Sequence, residues 1–288
     1  VQKVGTTRVD SGSGLLSIVA YHIKGQAPVY GLEGSVAVAG SAVKWLQDAT
    51  GIISSSRDIE QVALSVPDNG GVTFVPAFTG LFAPHWRADA RGTICGLTRA
   101  TQPGHIARAT LESTALQCRE LVHAMASESQ VPLAQLKLHV DGGMSVNNTL
   151  MQWQADLGDM QVCRPAVTET TAAGAAFAAG LAVEFWADIS EVQALVQTER
   201  TFSPERPGKN TEGTVRAWQK GIERSLGWVD GPAESSACSS DASPLQTLVD
   251  VVVDHLPSLA TGLLVGAVLA RLWYQERSQI SSASRGGD

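Results

Sequence analysis

The feature that most constrains this chain is a change of hydrophobic period across a glycine pair. Leu136, Leu138 and Val140 alternate with Lys137 and His139. The chain then reads Asp141-Gly142-Gly143, and Val146, Leu150, Trp153 and Leu157 follow at helical spacing. A period of two suits a half-buried strand and a period near 3.6 suits one face of a helix. The order is therefore strand, glycine turn, helix. The same alternation recurs along the chain, which predicts an α/β fold with a mainly parallel, buried sheet, whose ligands bind where strands end and helices begin.

Residues 15–21 (LLSIVAY) form an apolar, β-branched run of strand length, followed by the turn-prone KGQAP. A helix is predicted over about residues 33–48, where Val36, Ala39, Gly40, Val43 and Leu46 share one face. A short strand over 72–75 leads into the loop FTGLFAPHWRADARG, and a strand resumes over 92–97 (GTICGL). That loop is long for a plain connection, so it is expected to pack specifically or to touch ligand. After Pro103 and Gly104, Ala107, Leu111, Thr114, Cys118, Leu121 and Met125 recur at gaps of four and three, marking a core helix. A strand over 161–164 precedes Pro165. The next helix is rich in Ala and Gly over 171–180, which lets another backbone or a ligand come close. One last helix is predicted over about 214–226, and residues 230–243 (DGPAESSACSSDAS) read as linker.

Composition removes several function classes. With 288 residues, 44% hydrophobic and 17% charged, the chain can bury a full core of one or two domains. A net charge of -7 without a long basic run leaves no electrostatic footprint for nucleic acid. Cys95, Cys118, Cys163 and Cys238 show no CxxC spacing and read as reduced, cytosolic thiols; the histidines are scattered, and no metal is assigned to protein side chains.

Two short motifs carry the chemistry. In DGGMSVNN (141–148), paired glycines after a strand let the backbone approach a flat or anionic ligand, because no Cβ intervenes. A helix beginning near Ser145 is then expected to present free N–H groups and its positive dipole end. In the second, Gly40 precedes Lys44 by one helical turn. Each also has a plain structural reading: Asp-Gly-Gly is an ordinary turn, and a glycine on a helix often serves only close packing. Glu112 reads as a paired helix carboxylate, and Trp45 and Trp153 read as packing residues.

The order of these motifs resembles a known family. Residues 92–112 stand as GTICGL, seven residues, His105-Ile106, two residues, then Ala109-Thr110-Leu111-Glu112, which is similar to the carboxy-terminal signature of the FGGY carbohydrate kinases. The segments GLLSIVAY, YGLEGSVAVAG, VPAFTGLFAPHW, ARGTICGLTR, LHVDGGMSVNN and TETTAAGAAFAAGLAV resemble the glycerol kinase branch rather than the pentulose kinases. The likeness covers about residues 14–229. It implies an actin-like ATPase (ribonuclease H-like) fold, the second domain of an FGGY kinase, acting with ATP and Mg²⁺ on glycerol. The alternatives are another FGGY sugar or polyol kinase, or a noncatalytic actin-like nucleotide-binding protein.

By the same resemblance, Gly143 and Asn147 match positions that hold the adenine and ribose end of the nucleotide. Gly40 matches a further nucleotide contact, and Lys44 sits where some members carry Gln. His85, Asp89 and Arg91 are expected to pin their loop. The family's catalytic carboxylate, glycerol-binding residues and first phosphate loop precede the part that aligns with residue 14. No catalytic residue is therefore assigned, and this chain alone is expected to be inactive. Residues 1–13 are read as a remnant of the preceding phosphate-loop region.

The chain begins at Val1, without a signal peptide or an Arg-rich transit segment, and reads as a piece of a longer chain. With the resemblance, the whole is expected to be a cytoplasmic enzyme and a homo-oligomer, though the residues themselves leave the oligomeric state open. After the linker (230–244), residues 245–288 form a hydrophobic tail. In it, residues 256–274 (LPSLATGLLVGAVLARLWY) carry one charge, Arg271, a Gly262-xxx-Gly266 spacing and a boundary Trp273-Tyr274 pair. This is a candidate membrane anchor, near the lower length limit of about 17 residues, with an interfacial or domain-packing helix as the alternative. Animal glycerol kinases with comparable tails point it toward the mitochondrial outer membrane.

Overall fold

The computed structural model describes residues 1–23, 25–205 and 211–229. All of them lie in one compact unit, Val1–Gly231. The proposed linker and hydrophobic tail, 230–288, lie outside the described residues. Among the described residues, no helix is long and apolar enough to cross a membrane.

Strands β1 (Gln2–Gly5), β2 (Leu16–Tyr21) and β3 (Val29–Glu33) form a sheet in the order β1-β3-β2, antiparallel throughout. Helix α1 (Gly40–Trp45) runs on into a π-helical turn, Leu46–Thr50, and α2 (Ile59–Ala63) follows. Strands β4 (Thr73–Val75) and β5 (Thr93–Cys95) pair antiparallel. Then come α3 (Pro103–Ser129), β6 (Lys137–His139), α4 (Asn148–Gly158), β7 (Gln161–Pro165), α5 (Thr170–Ala182), α6 (Ile189–Leu195), β8 (Thr198–Phe202) and α7 (Thr211–Ser225). β7 pairs parallel with β6 and antiparallel with β8.

Two expectations need correction. The sheet is not mainly parallel: among the described ladders only β6 with β7 is, since β2 and β3 are joined by too short a connection to cross over. The helix predicted over 33–48 begins only at Gly40. Residues 29–33 are β3, where Leu32 is fully buried, and Val36 and Ala39 of the predicted face belong to the loop after it. Their spacing mimics a helical face because the loop also faces the core.

Helix α3 organises the domain. Pro103 occupies its first turn, and His105 Nδ1 accepts from Gln102 N at 2.9 Å, which satisfies an amide at the helix start. Of the residues read as its core face, Ala107, Leu111, Thr114, Leu121 and Met125 are buried and Cys118 is half-buried. Burial pushes the Cys118 thiol up to about 11, so it stays protonated at neutral pH. Its first half joins Leu150, Met151 and Ala155 of α4, Val162, Phe202 and Trp218 in one cluster; its second half packs Leu121 and Met125 on Leu15 and Leu32.

The long loop over 78–92 is tied down from several directions. Trp86 Nε1 donates to Gly14 O at 2.6 Å, and His85 meets Glu120 at 3.1 Å. Arg87 pairs with Asp89, which also accepts from Gly227 N at 2.7 Å, while Arg91 N donates to Ser225 O at 2.9 Å. In α3, Glu112 accepts from Arg108 Nε at 2.9 Å and from Asn69 Nδ2 at 2.8 Å, so both of its oxygens serve structure. Trp45 packs against Phe74 and Phe78, and Trp153 lies beneath Arg108.

The small-residue helix α5 has no buried residue among the described parts, whereas α4 buries more than half its length.

Candidate functional site

The site grows from the end of β6. Val140 N still donates to Cys163 O of β7 at 3.0 Å, and then the chain turns. Gly142 sits at φ 77° and ψ 179°, a conformation that disfavours any side chain, and its N–H is held by Thr168 O at 2.8 Å. A Cβ built on Gly142 or on Gly143 would find nothing within 4 Å. The two glycines therefore form a shelf of bare backbone open on its outer side.

A 3-10 turn, Gly143–Val146, follows. Ser145 is 2% exposed and is its inner hub: its N–H and its hydroxyl both donate to Gly142 O, at 3.1 and 2.7 Å. Asn147 then caps α4, with Oδ1 accepting from Leu150 N at 2.8 Å and its carbonyl from Met151 N at 3.1 Å. From α2, Glu60 Oε1 accepts Thr149 N at 3.0 Å and Thr149 Oγ1 at 2.6 Å.

These bonds correct the expected free helix end near Ser145. The α-helix starts at Asn148, and three of its first four amides are already taken by Glu60 and Asn147. Glu60 also brings a negative charge to the positive end of the α4 dipole. An anion such as a phosphate gains little here; a flat, uncharged group on the glycine shelf meets no such competition.

Of the four residues singled out in the sequence, three are neighbours. Gly40 opens α1 directly against the 3-10 turn, where a Cβ on it would meet Met144 Sδ at 3.5 Å, an ordinary contact. Gly143 and Asn147 bracket Met144 within the turn. Lys44 lies one turn further along α1, exposed and paired with Asp48 Oδ1 at 3.0 Å. That surface pair is weak, which leaves Lys44 free to exchange partners.

Two residues that shape the site carried little signal in the sequence. Glu60 sits in a five-residue helix 89 positions from Thr149, beyond any periodicity. Arg164 lies in an apolar strand, is 6% exposed, and donates from Nη1 to Ser145 O at 2.8 Å. A charged residue inside a short buried strand was the one available hint.

A cavity of about 510 Å³ opens elsewhere, between β1, β6 and α3, lined by Val36, Leu121, Met125 and Leu138. It includes none of the four residues. Among the described residues, no cluster of His, Cys, Asp and Glu has metal-binding geometry.

This is a mixed α/β domain with a bare glycine turn after a parallel strand, and comparison gives it a family. Residues 6–183 match the FGGY family of carbohydrate kinases, C-terminal domain, and the chain belongs to that family. Within it, the chain is 53% identical over 226 residues to a glycerol kinase of Saccharopolyspora erythraea, covering 78% of this chain and 45% of that protein. A glycerol kinase of Chloroflexus aurantiacus is 52% identical over the same length, with the same coverage. Among solved structures, Plasmodium falciparum glycerol kinase with ADP superposes with a TM-score of 0.71 at 34% identity, over 78% of this chain and 44% of that one. A xylulose kinase of Lactobacillus acidophilus, at 22% identity and a TM-score of 0.59, shares the fold. The chain thus spans about half the length of the relatives it matches.

Proposed function

We propose that the complete polypeptide carrying this domain transfers the γ-phosphoryl group of ATP to glycerol, giving glycerol 3-phosphate, with this domain as the nucleotide side of the cleft. The observation that carries the reading is the open shelf at Gly142 and Gly143 in a chain 53% identical to a glycerol kinase. In this reading the adenine and ribose lie along the shelf. Gly143 allows close backbone approach, and Gly40 places the start of α1 beside the turn at Met144. With Asn147 Oδ1 engaged by Leu150, its Nδ2 protons are the group that can donate to the nucleoside.

The phosphates point away from α4, whose first amides are occupied by Glu60, at Thr149, and by Asn147, at Leu150 and Met151. Mg²⁺ would accompany the nucleotide and would supply charge neutralisation during transfer. This chain's part is positioning: a nucleotide held rigidly at one end presents its γ-phosphoryl group in a fixed place, which lowers the entropic barrier to transfer. Lys44, one turn along α1 from Gly40 and paired with Asp48 on the surface, is the candidate contact for the outer edge of the nucleoside.

The test is a coupled ADP-release assay on the complete polypeptide with glycerol, D-xylulose and buffer alone. Glycerol-dependent release with glycerol 3-phosphate as product supports the reading. Release with the sugar alone moves the protein to another branch of the family, and nucleotide binding without any phosphorylated product refutes kinase function.

A further inference from the structure

We propose that Arg164 is a positioning residue for the nucleotide shelf, holding the turn over residues 142–147 in place through the Ser145 carbonyl; this rests on the reading of the shelf as the ATP site. Arg164 lies on β7, and its side chain is 7% exposed. A guanidinium so buried needs partners for its charge and its donors. It finds them in two directions. Nε and Nη2 donate to Glu199 Oε2 and Oε1 on β8, at 2.8 and 3.3 Å, and Nη1 donates to Ser145 O at 2.8 Å. The Phe202 ring lies 5.5 Å away and closes off water on one side.

The two partners are not equivalent. Glu199 is 51% exposed in its side chain, so losing Arg164 returns it to solvent at little cost. Ser145 is 2% exposed, and its carbonyl has no such recourse. The consequence of losing Arg164 therefore falls on the turn. Ser145 is also the hub through which the shelf is held, since its N–H and hydroxyl both bond Gly142 O. A chain of contacts runs from the sheet through Arg164, Ser145 and Gly142 to the bare backbone of Gly143. The inner side of the turn is bolted to β7 and β8 while its outer side is empty. Only the arginine fork spans a carboxylate and a carbonyl placed in different directions; a lysine reaches one of them.

The experiment measures ADP affinity by calorimetry and steady-state kinetics on the complete polypeptide. The variants are Arg164→Gln, Arg164→Lys and Glu199→Gln, with Ile222→Val on α7 as a control for general destabilisation. Arg164→Gln is expected to weaken ADP binding and raise the KM for ATP about tenfold, with kcat at saturating ATP and the KM for glycerol within about twofold. Arg164→Lys falls between it and the wild type, because the ammonium still reaches Ser145 O. Glu199→Gln stays within about twofold.

Wild-type ADP affinity in Arg164→Gln overturns the inference, as does an equal loss in Ile222→Val at a matched drop in melting temperature. Should Arg164→Gln fail to fold, Arg164→Lys decides: about two- to fivefold weaker ADP binding upholds the role, and unchanged binding removes it. Gly143→Ala separates this from the parent reading. If it binds ADP normally, the shelf is not the nucleotide site; if it binds weakly while Arg164→Gln does not, only the role of Arg164 is lost.

Discussion

The substitution Gly143→Ala separates the stability of the turn from its proposed function. Gly143 begins the 3-10 turn, and a Cβ placed on it touches nothing within 4 Å. It is not among the glycines at positive φ, so an alanine adopts its backbone without strain. Replacing such a glycine restricts the unfolded chain and stabilises the fold by about 0.4–1 kcal/mol. For a domain of this size each kcal/mol moves the melting temperature by about 2–4 °C, so the variant should melt about 1–4 °C higher. The same methyl stands where the nucleoside is proposed to lie. Forcing one extra methyl group into a packed contact costs about 1–3 kcal/mol, which is about five- to 150-fold in affinity. Differential scanning fluorimetry without nucleotide and calorimetric titration with ADP read the two quantities on one preparation. The expected result is a more stable protein that binds ADP poorly. Undiminished affinity refutes the nucleotide reading, and a fall in melting temperature refutes the open geometry of the turn.

Three further outcomes follow from the packing and from one carboxylate. Leu111→Ala, at a fully buried position in α3, should destabilise by about 3–5 kcal/mol in urea unfolding, and a loss under 1 kcal/mol would contradict the packing around it. Gly96→Ala should abolish soluble expression, because Gly96 sits at φ 81° and a Cβ there overlaps Gly71 O; Gly51→Ala, at φ 67° with nothing near, should cost only about 1–2 kcal/mol. Burial holds the Glu112 carboxyl above the usual carboxylate range, against the opposing pull of its bonds from Asn69 and Arg108. The native state then binds that proton more tightly than the unfolded chain does. The Glu112 contribution is therefore most favourable below a pH of about 4 and declines as pH rises toward the raised folded value. Glu112→Gln should flatten that decline when urea midpoints are compared between acid and neutral pH, and an unchanged slope would refute the assignment.

Local pattern revealed most of the elements, and long-range pairing revealed almost none. The period-2 run at Leu136, Leu138 and Val140, the glycine pair after it, and the four-and-three spacing of α3 each record a physical demand within a few residues, so β6, the turn and α3 were readable. The sheet pattern was not. Whether β2 pairs with β3 or crosses over depends on how the intervening seven residues fold, and their composition signals a turn without saying which strands it joins. Val36 and Ala39 were misleading because a loop wrapped on the core also partly buries its apolar residues. At the site, Gly40 and Gly143 were visible as missing side chains at suggestive places. Glu60 and Arg164 were not, since each acts on a partner far along the chain: 89 residues from Glu60 to Thr149, and 19 from Arg164 to Ser145.

Helix α7 has a consequence for synthesis. Its buried Trp218 and Gly221 lie against the β4 region, where a Cβ on Gly221 would meet Thr73 Cγ2 at 2.9 Å, and Ser225 O accepts from Arg91 N. The two sides of this seam leave the ribosome about 140 residues apart, a delay of roughly 7–30 s at ordinary elongation rates. Through that interval Val75 and the 78–92 segment have no α7 to cover them. The nascent domain is thus most open to chaperone capture and proteolytic nicking just before its last helix emerges, and truncations ending before residue 211 should accumulate as aggregates rather than as a smaller folded core.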